Sequence, residues 1–149
     1  MIVTRSFPPR LPRGRPLAAA IGVFDGVHIG HQAILAETLH RAMAAHATPA
    51  VVTFDRHPLA TLAPHVAPHC LMTLDQRLAR LRELGFRVVV VLPFSRRLAA
   101  MTAPAFARRV LVDSLRVAEV VVGYDFRFSR GGSGDGAMLA ALGARLGFR

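Results

Sequence analysis

The chain has 149 residues, of which 52% are hydrophobic and 19% are charged. These proportions exclude a disordered or low-complexity chain, and the length fits a single domain. The formal net charge is +10, with arginine as the only strongly basic residue type, so an anionic partner must be considered beside a general compositional bias.

The first sixteen residues are rich in proline and arginine and lack the apolar centre of a signal peptide. No apolar run approaches the roughly 18 residues that a membrane-spanning helix needs. The single cysteine, Cys70, cannot form an internal disulfide, so nothing indicates an oxidising compartment. We therefore expect a soluble cytoplasmic protein that does not bind membranes.

The first half of the chain alternates apolar strand patterns with a helical pattern. Residues 17–24 form an apolar run that ends near Asp25-Gly26, which predicts a buried strand and a turn. A helix is predicted over 29–45 and a second strand over 51–54. Residues 57–70 contain three prolines and are predicted to form a long loop with room for one helical turn.

The second half continues this alternation. Thr73 and Gln76 have the spacing of a capping box at the start of a helix. The continuous apolar run 88–92 is typical of a strand that is covered on both faces. The predicted elements are a helix over 73–84, a strand over 88–92, a helix over 104–115, a strand over 119–122 and a helix over 137–146. Strands alternating with helices predict an α/β fold with a parallel sheet.

Residues 22–31 read Gly-Val-Phe-Asp-Gly-Val-His-Ile-Gly-His and join the first strand to the first helix. Ligands of open parallel sheets bind beyond the carboxyl ends of the strands, and a helix start favours phosphate. His28 and His31 are one turn apart, so both imidazoles could face one anion. For an isolated His-x-Gly-His, a helix cap beside an ordinary surface histidine is the alternative. A metal site is not expected, because no third ligand is evident nearby.

This ten-residue string closely resembles the motif of bacterial FAD synthetases, in their FMN adenylyltransferase module. Residues 51–58 and 121–128 resemble two further segments of the same family, in the same order. The resemblance runs from about residue 17 to the end of the chain. It implies the Rossmann-like parallel sheet of the His-x-Gly-His nucleotidyltransferase superfamily.

The resemblance also implies an activity. The family transfers AMP from ATP to FMN, which gives FAD and pyrophosphate, and it uses Mg²⁺. His28 and His31 would be the catalytic residues that hold the ATP phosphates. The residues expected to bind ATP are Gly22, Phe24, Asp25, Gly26, His28, Gly30 and His31. Those expected to bind flavin are Phe54, His57, Pro58, Asp125, Phe126, Arg127 and Phe128.

Three alternatives accompany this interpretation. The chain could be a nucleotidyltransferase for another phosphate substrate, or a flavin- or nucleotide-binding fragment without catalysis. The charge alone would also suit a nucleic-acid-binding domain, but no RNA-binding aromatic motif or dense basic helix supports it. A metal cluster built from His57, His65, His69 and Cys70 is not expected, because their spacings match no common zinc pattern.

The family pattern continues beyond the helix over 137–146 with another strand and a Ser-Ser-Thr-x-x-Arg-type motif. In many members a riboflavin kinase module follows. We therefore expect residues 1–149 to form an adenylyltransferase domain that is incomplete at its C-terminal end, with impaired transfer and no riboflavin kinase domain.

Overall fold

Five parallel strands form one sheet in the computed structural model, which describes residues 1–12 and 14–149. The strands are β1 (Ile2–Thr4), β2 (Leu17–Ile21), β3 (Thr48–Phe54), β4 (Val88–Leu92) and β5 (Val117–Val121). Their order across the sheet is β1-β4-β3-β2-β5, and every neighbouring pair is parallel. The predicted α/β fold with a parallel sheet is confirmed.

Within the described residues, six helices connect and cover the strands. They are α1 (Ile29–Ala44), α2 (Pro58–Leu62), α3 (Leu74–Glu83), α4 (Arg96–Ala99), α5 (Ala103–Phe106) and α6 (Gly136–Leu146). A π-helical stretch, Ala107–Ser114, continues α5. Short 3₁₀ turns lie at Asp25–Val27, Pro64–Val66 and Arg130–Gly132. Among the described residues, no helix has the length and apolar character needed to cross a bilayer.

The apolar core lies on both faces of the sheet. On one face, Leu35 of α1 and Leu81 of α3 pack against Val89 and Val91. On the other face, α5, its π-helical continuation and α6 pack against the alternate residues of β4. Every residue of β4 is buried, as expected for a strand covered on both sides.

The chain reverses its direction of travel across the sheet at β2. From β2 it proceeds through β3 to β4 on one side, and then returns to place β5 on the other side of β2. Such a switch point opens a crevice at the carboxyl ends of the strands, where ligands of α/β proteins bind. The loops that follow β2, β3, β4 and β5 therefore meet at one edge of the sheet.

The strand boundaries differ from prediction at three places. β2 ends at Ile21 rather than at residue 24, because Phe24 has a left-handed φ of 53°. β3 begins at Thr48, before the predicted start at residue 51. Pro49 is tolerated there because the ladder to β4 begins only at Ala50. β5 begins at Val117, two residues before the predicted strand 119–122.

Two short elements were not predicted from the sequence. β1 is a three-residue edge strand, Ile-Val-Thr, that pairs with β4, and it is too short to show a strand periodicity. Helix α4 has only four residues. The remaining helices lie close to their predicted spans, and the helical turn allowed within residues 57–70 is α2. The predicted capping box is confirmed. Thr73 Oγ1 accepts a hydrogen bond from the Gln76 backbone N–H, and Gln76 Oε1 accepts one from the Thr73 backbone N–H.

Candidate functional site

The loop after β2 turns sharply before α1 begins. Phe24, Gly26 and Val27 all have positive φ angles, of 53°, 75° and 42°. The Asp25 carboxylate fixes this turn by accepting hydrogen bonds from the backbone N–H groups of Leu71, at 2.8 and 3.0 Å, and Met72, at 3.1 Å. The φ of 75° at Gly26 favours glycine, and a Cβ there would lie 2.9 Å from Leu71 Cδ1, so a larger residue would displace the Leu71 side chain.

His28 and His31 lie together at the start of α1. His28 is the N-cap, and its Nδ1 accepts a hydrogen bond from the His31 backbone N–H at 3.4 Å. The two imidazoles stack with their centroids 3.6 Å apart and their planes 22° apart. A Cβ at Gly30 would lie 3.3 Å from the His28 ring, so a side chain there would crowd the imidazole. Because Nδ1 of His28 is an acceptor, its neutral form carries the proton on Nε2, which is left to donate to a ligand.

His31 is in a more enclosed environment than His28. Its ring meets the buried Phe24 ring edge-on, at a centroid distance of 5.3 Å. Its Nδ1 is buried and has no hydrogen-bond partner in the part of the chain that the structure describes. Burial, followed by the neighbouring His28 and Arg77, lowers the pKa of His31 below its ordinary value, although Asp25 and Asp125 act in the opposite direction. His31 is therefore mainly neutral at neutral pH, and an anion beside it would favour its protonation.

An apolar cavity of about 380 Å³ lies at the same edge of the sheet. Its walls contain two aromatic pairs: Phe126 and Phe128 stack at 5.4 Å, and Phe54 meets Phe94 edge-on at 5.4 Å. The lining residues are Ile21, Gly22, Val23, Phe54, Pro58, Leu62, Phe94, Leu98, Ala99, Phe106, Phe126, Arg127, Phe128, Ser129, Gly131 and Gly132. Since Gly22 and Val23 also begin the turn that leads to His28, the cavity and the histidine pair share a backbone segment.

The predicted flavin residues lie partly on this cavity. Those that line it are Phe54, Pro58, Phe126, Arg127 and Phe128. His57 does not line it; its Nδ1 accepts a hydrogen bond from the Leu59 N–H at 3.2 Å and caps α2. Asp125 also lies outside the cavity wall, on an exposed turn whose charge acts on His31.

The residues predicted to bind ATP all lie in the turn after β2 or at the start of α1. Asp25 has both carboxylate oxygens bonded to the backbone ahead of α3, so in the structure it fixes the turn. Phe24 packs its ring against His31. The N–H groups of Ile29 and Gly30 lie in the first turn of α1, where a helix has no acceptors of its own.

Sequence reasoning missed Arg77 and several cavity residues. Arg77 is 2% exposed, and its Nη1 donates to Thr53 Oγ1 at 3.1 Å and to the Phe54 carbonyl at 3.0 Å. Its position gave a usable signal, because it shares the helical stripe of Leu74, Leu78 and Leu81, which faces the core. The cavity residues Leu62, Phe94, Leu98 and Phe106 lie outside the motifs, and only the fold brings them together.

The fold and site define a class of protein. It is a Rossmann-like parallel α/β protein with a stacked histidine pair at the start of the helix that follows β2 and an aromatic cavity beside it. The sequence model of the FAD synthetase family matches residues 12–149, and the chain belongs to that family.

Its relatives agree with this assignment. The chain is 40% identical over 128 residues to the bifunctional riboflavin kinase/FMN adenylyltransferase of Escherichia coli K12, covering 86% of this chain and 41% of that protein. The Pseudomonas fluorescens protein of the same name is 39% identical over 137 residues, covering 92% and 44%. The chain thus spans less than half the length of these relatives.

One solved structure shows the same fold. It is described as a macrolide-efflux protein from Streptococcus pneumoniae, and it superposes with a TM-score of 0.79 at 20% identity, covering 95% of this chain and 46% of that one. At this level of identity the likeness concerns the fold alone.

Proposed function

We propose that this chain carries an FMN adenylyltransferase site, which transfers AMP from ATP to FMN to give FAD and pyrophosphate. One observation carries the proposal: a stacked histidine pair at a helix start and an aromatic cavity of about 380 Å³ share the segment Gly22-Val23. The first feature suits a polyphosphate and the second suits a flat, largely apolar ring. The names of the relatives supply the reaction.

In the proposed complex, the ATP phosphates lie at the start of α1. His28 donates from Nε2, because its Nδ1 is already bonded to the His31 N–H. The free N–H groups of the first helical turn and the positive end of the helix dipole add further attraction for a phosphate. The buried Nδ1 of His31 gains a partner if the nucleotide reaches it.

The flavin ring occupies the cavity and contacts the Phe126–Phe128 stack. Offset or edge-on contacts with aromatic rings suit the isoalloxazine system. Arg127 lies on the cavity wall, where its Nη1 is 3.6 Å from Asp135 Oδ2. Its guanidinium can contact the polar edge of the flavin ring. We keep His57 and Asp125 as candidate flavin contacts at the margins of the site, although neither lines the cavity.

The transfer needs no protein nucleophile. An oxygen of the FMN phosphate attacks the α-phosphorus of ATP, and the bond from that phosphorus to the bridging oxygen of the β-phosphate breaks, which releases pyrophosphate. The attacking oxygen is already anionic, so no proton has to be removed. The protein contributes by holding both substrates in line and by neutralising negative charge.

Magnesium enters this proposal with ATP, as part of the substrate. Within residues 1–12 and 14–149, no group of three or more His, Cys, Asp or Glu side chains surrounds a common point. Proteins commonly bind Mg²⁺ through substrate phosphates with only one or two carboxylates. We assign residues 1–149 to the adenylyltransferase domain, place no riboflavin kinase site in them, and propose that the chain acts in the cytoplasm.

Substrate binding tests the proposal. FMN is titrated with the chain and the quenching of flavin fluorescence is followed, and ATP binding is measured separately by calorimetry. We expect saturable binding of both, and FAD in a chromatogram of a mixture with FMN, ATP and Mg²⁺. Binding of ATP without any flavin quenching would instead favour a nucleotidyltransferase for another phosphate acceptor, such as phosphopantetheine or a nicotinamide nucleotide.

A further inference from the structure

Arg77 is the most buried charged side chain near the site. It projects from α3 toward the carboxyl end of β3 and is 2% exposed. A buried cation is costly unless its charge and its donors are compensated. The ion pairs found among residues 1–12 and 14–149 do not include Arg77. Its Nε is also buried, without a hydrogen-bond partner among the described residues. Within that part of the chain, the fold thus holds a positive charge at this place without a direct counter-ion.

A short series of hydrogen bonds connects Arg77 to the turn after β2. Arg77 Nη1 donates to Thr53 Oγ1 at 3.1 Å, and this hydroxyl donates to the Val23 carbonyl at 2.9 Å. Arg77 Nη1 also donates to the Phe54 carbonyl at 3.0 Å. Residues 22–31, which lead from β2 to His28 and His31, are called the histidine turn, and Val23 lies within the segment that this turn shares with the cavity. A change at Arg77 therefore reaches the turn through a single intervening side chain.

The segment ahead of α3 connects to the same turn by a second route. The Asp25 carboxylate accepts the N–H groups of Leu71 and Met72, which directly precede the helix. Helix α3 is thus attached to the turn through Thr53 and through Asp25. These polar contacts fix the helix that carries Arg77 relative to His28 and His31.

We propose that Arg77 is a positioning residue for the histidine turn, which it holds through Thr53, and that its buried charge favours a polyphosphate beside His28 and His31. This inference rests on the proposed function, because it concerns the ATP side of that site. Arg77 acts on the nucleotide in two ways: it holds the turn in place through Thr53, and its positive charge attracts the phosphates. Because the charge is buried, salt screens it much less than it screens a surface arginine.

The first experiment compares Arg77→Met with Arg80→Met. Arg80 is an exposed arginine on the same helix and pairs with Glu83 at 2.9 Å, so it is the matched control for loss of one positive charge. We expect Arg77→Met to weaken ATP binding about tenfold, the order of effect of one partly buried charge on another. The loss should persist at high salt, and Arg77→Lys should recover part of it. Arg80→Met should change ATP binding by less than about twofold.

The second experiment separates the hydrogen bonds from the charge. Thr53→Val removes the bridging hydroxyl and keeps Arg77, so we expect a smaller loss of ATP affinity, about threefold. The imidazole pKa of His31, measured by NMR without nucleotide, provides an independent readout. The groups that act on His31 are His28, Arg77, Asp25 and Asp125. Arg77→Met should raise the pKa of His31, and Thr53→Val should leave it low.

These outcomes separate this inference from the proposed function. If the unaltered chain does not bind ATP, the proposed function fails, while the pKa of His31 still tests the field of Arg77. If the chain binds ATP but a folded Arg77→Met variant binds it equally well, the role of Arg77 is wrong. Should Arg77→Met not fold, Arg77→Lys and Thr53→Val decide: wild-type ATP affinity in the Thr53→Val variant would overturn the positioning role.

Discussion

The two halves of the site are held by different forces. The histidine turn depends on a small number of individual contacts: a carboxylate bonded to the backbone N–H groups of Leu71 and Met72, a helix cap and a left-handed backbone. The cavity depends on aromatic surfaces contributed by the ends of several strands and by the helices behind them. Hydrogen bonds require defined directions, whereas the free energy of apolar contact scales with the buried area. A single substitution in the histidine turn should therefore disable ATP binding there, whereas a single substitution in the cavity wall should only weaken flavin binding.

The halves share the segment Gly22-Val23, and the remaining residues of the histidine turn and of the cavity wall differ. We consequently expect the ATP affinity and the flavin affinity to respond to separate sets of residues. Substitutions that change both affinities equally would contradict this division of the site.

Replacing His31 with alanine should have the largest effect, on ATP alone. The substitution removes an imidazole that stacks on His28 and whose Nδ1 is buried. A hydrogen bond to a charged group contributes about 1.5–3 kcal/mol, which corresponds to a loss of roughly ten- to a hundredfold in ATP affinity. FMN affinity should stay within about twofold. Calorimetry with ATP and fluorescence quenching with FMN measure the two values.

The matched control is His40→Ala, because His40 is an exposed histidine on the same helix and lies 3.9 Å from Glu37. It should leave both affinities unchanged. Thermal unfolding of both variants shows whether the fold is retained. Unchanged ATP affinity in a folded His31→Ala variant would refute the phosphate-binding role of the histidine pair.

Replacing Phe128 with leucine should have a moderate effect, on the flavin alone. The Phe128 ring stacks on Phe126 at 5.4 Å and forms part of the cavity wall. Aromatic pairs contribute about 0.5–1.5 kcal/mol beyond their buried area, so FMN affinity should fall about three- to tenfold. ATP affinity should not change. Flavin fluorescence quenching measures the effect.

Phe7→Leu is the control for this substitution. Phe7 packs against the same core cluster but does not line the cavity. Both substitutions exchange an aromatic ring for an aliphatic side chain in that core, so a general loss of packing would affect both variants alike. An FMN affinity that falls equally in the two variants would show that the cavity does not hold the flavin ring.

The histidine turn could be predicted from the sequence because its residues are neighbours in the chain. The glycines, the histidine spacing and the following helix all lie within residues 22–31, and the strand run 88–92 was equally clear. Local patterns of this kind determine strands, helices and caps. The rules for parallel sheets predict helical crossovers between such strands, whereas the strand order β1-β4-β3-β2-β5 was not predicted from the sequence.

The cavity and Arg77 could not be predicted in the same way, because distant contacts create them. Phe94 and Phe106 line the cavity because β4 ends, and α5 begins, at the edge of the sheet where β2 ends, and neither residue belongs to a motif. Arg77 shares the helical stripe of the buried leucines, and an arginine at such a position is usually expected in solvent. Its burial depends on acceptors that β3 supplies, Thr53 Oγ1 and the Phe54 carbonyl.

The smallest expected effect concerns pH and again distinguishes the two halves. Burial and the nearby His28 and Arg77 lower the pKa of free His31 below about 6.5. Phosphate favours the protonated imidazole, so nucleotide binding raises this pKa and takes up a proton. ATP affinity should therefore increase severalfold as the pH falls from about 8 to about 6. FMN binding in the cavity should show a weaker dependence.

The same lowered pKa has the opposite effect on the stability of the free protein, which should decrease, whereas ATP affinity increases, as the pH falls. The unfolded chain binds a proton at His31 more readily than the folded chain, so the free energy of unfolding should decrease as the pH falls below about 6.5. ATP itself gains a proton in the same pH range. Comparing the ATP affinity of the unaltered chain with that of His31→Ala at each pH removes this contribution of ATP. The variant should lose most of both pH dependences, because it lacks the group that titrates. If ATP affinity in the variant keeps the full pH dependence of the unaltered chain, the coupled proton belongs to another group, and the enclosed environment of His31 has no role in nucleotide binding.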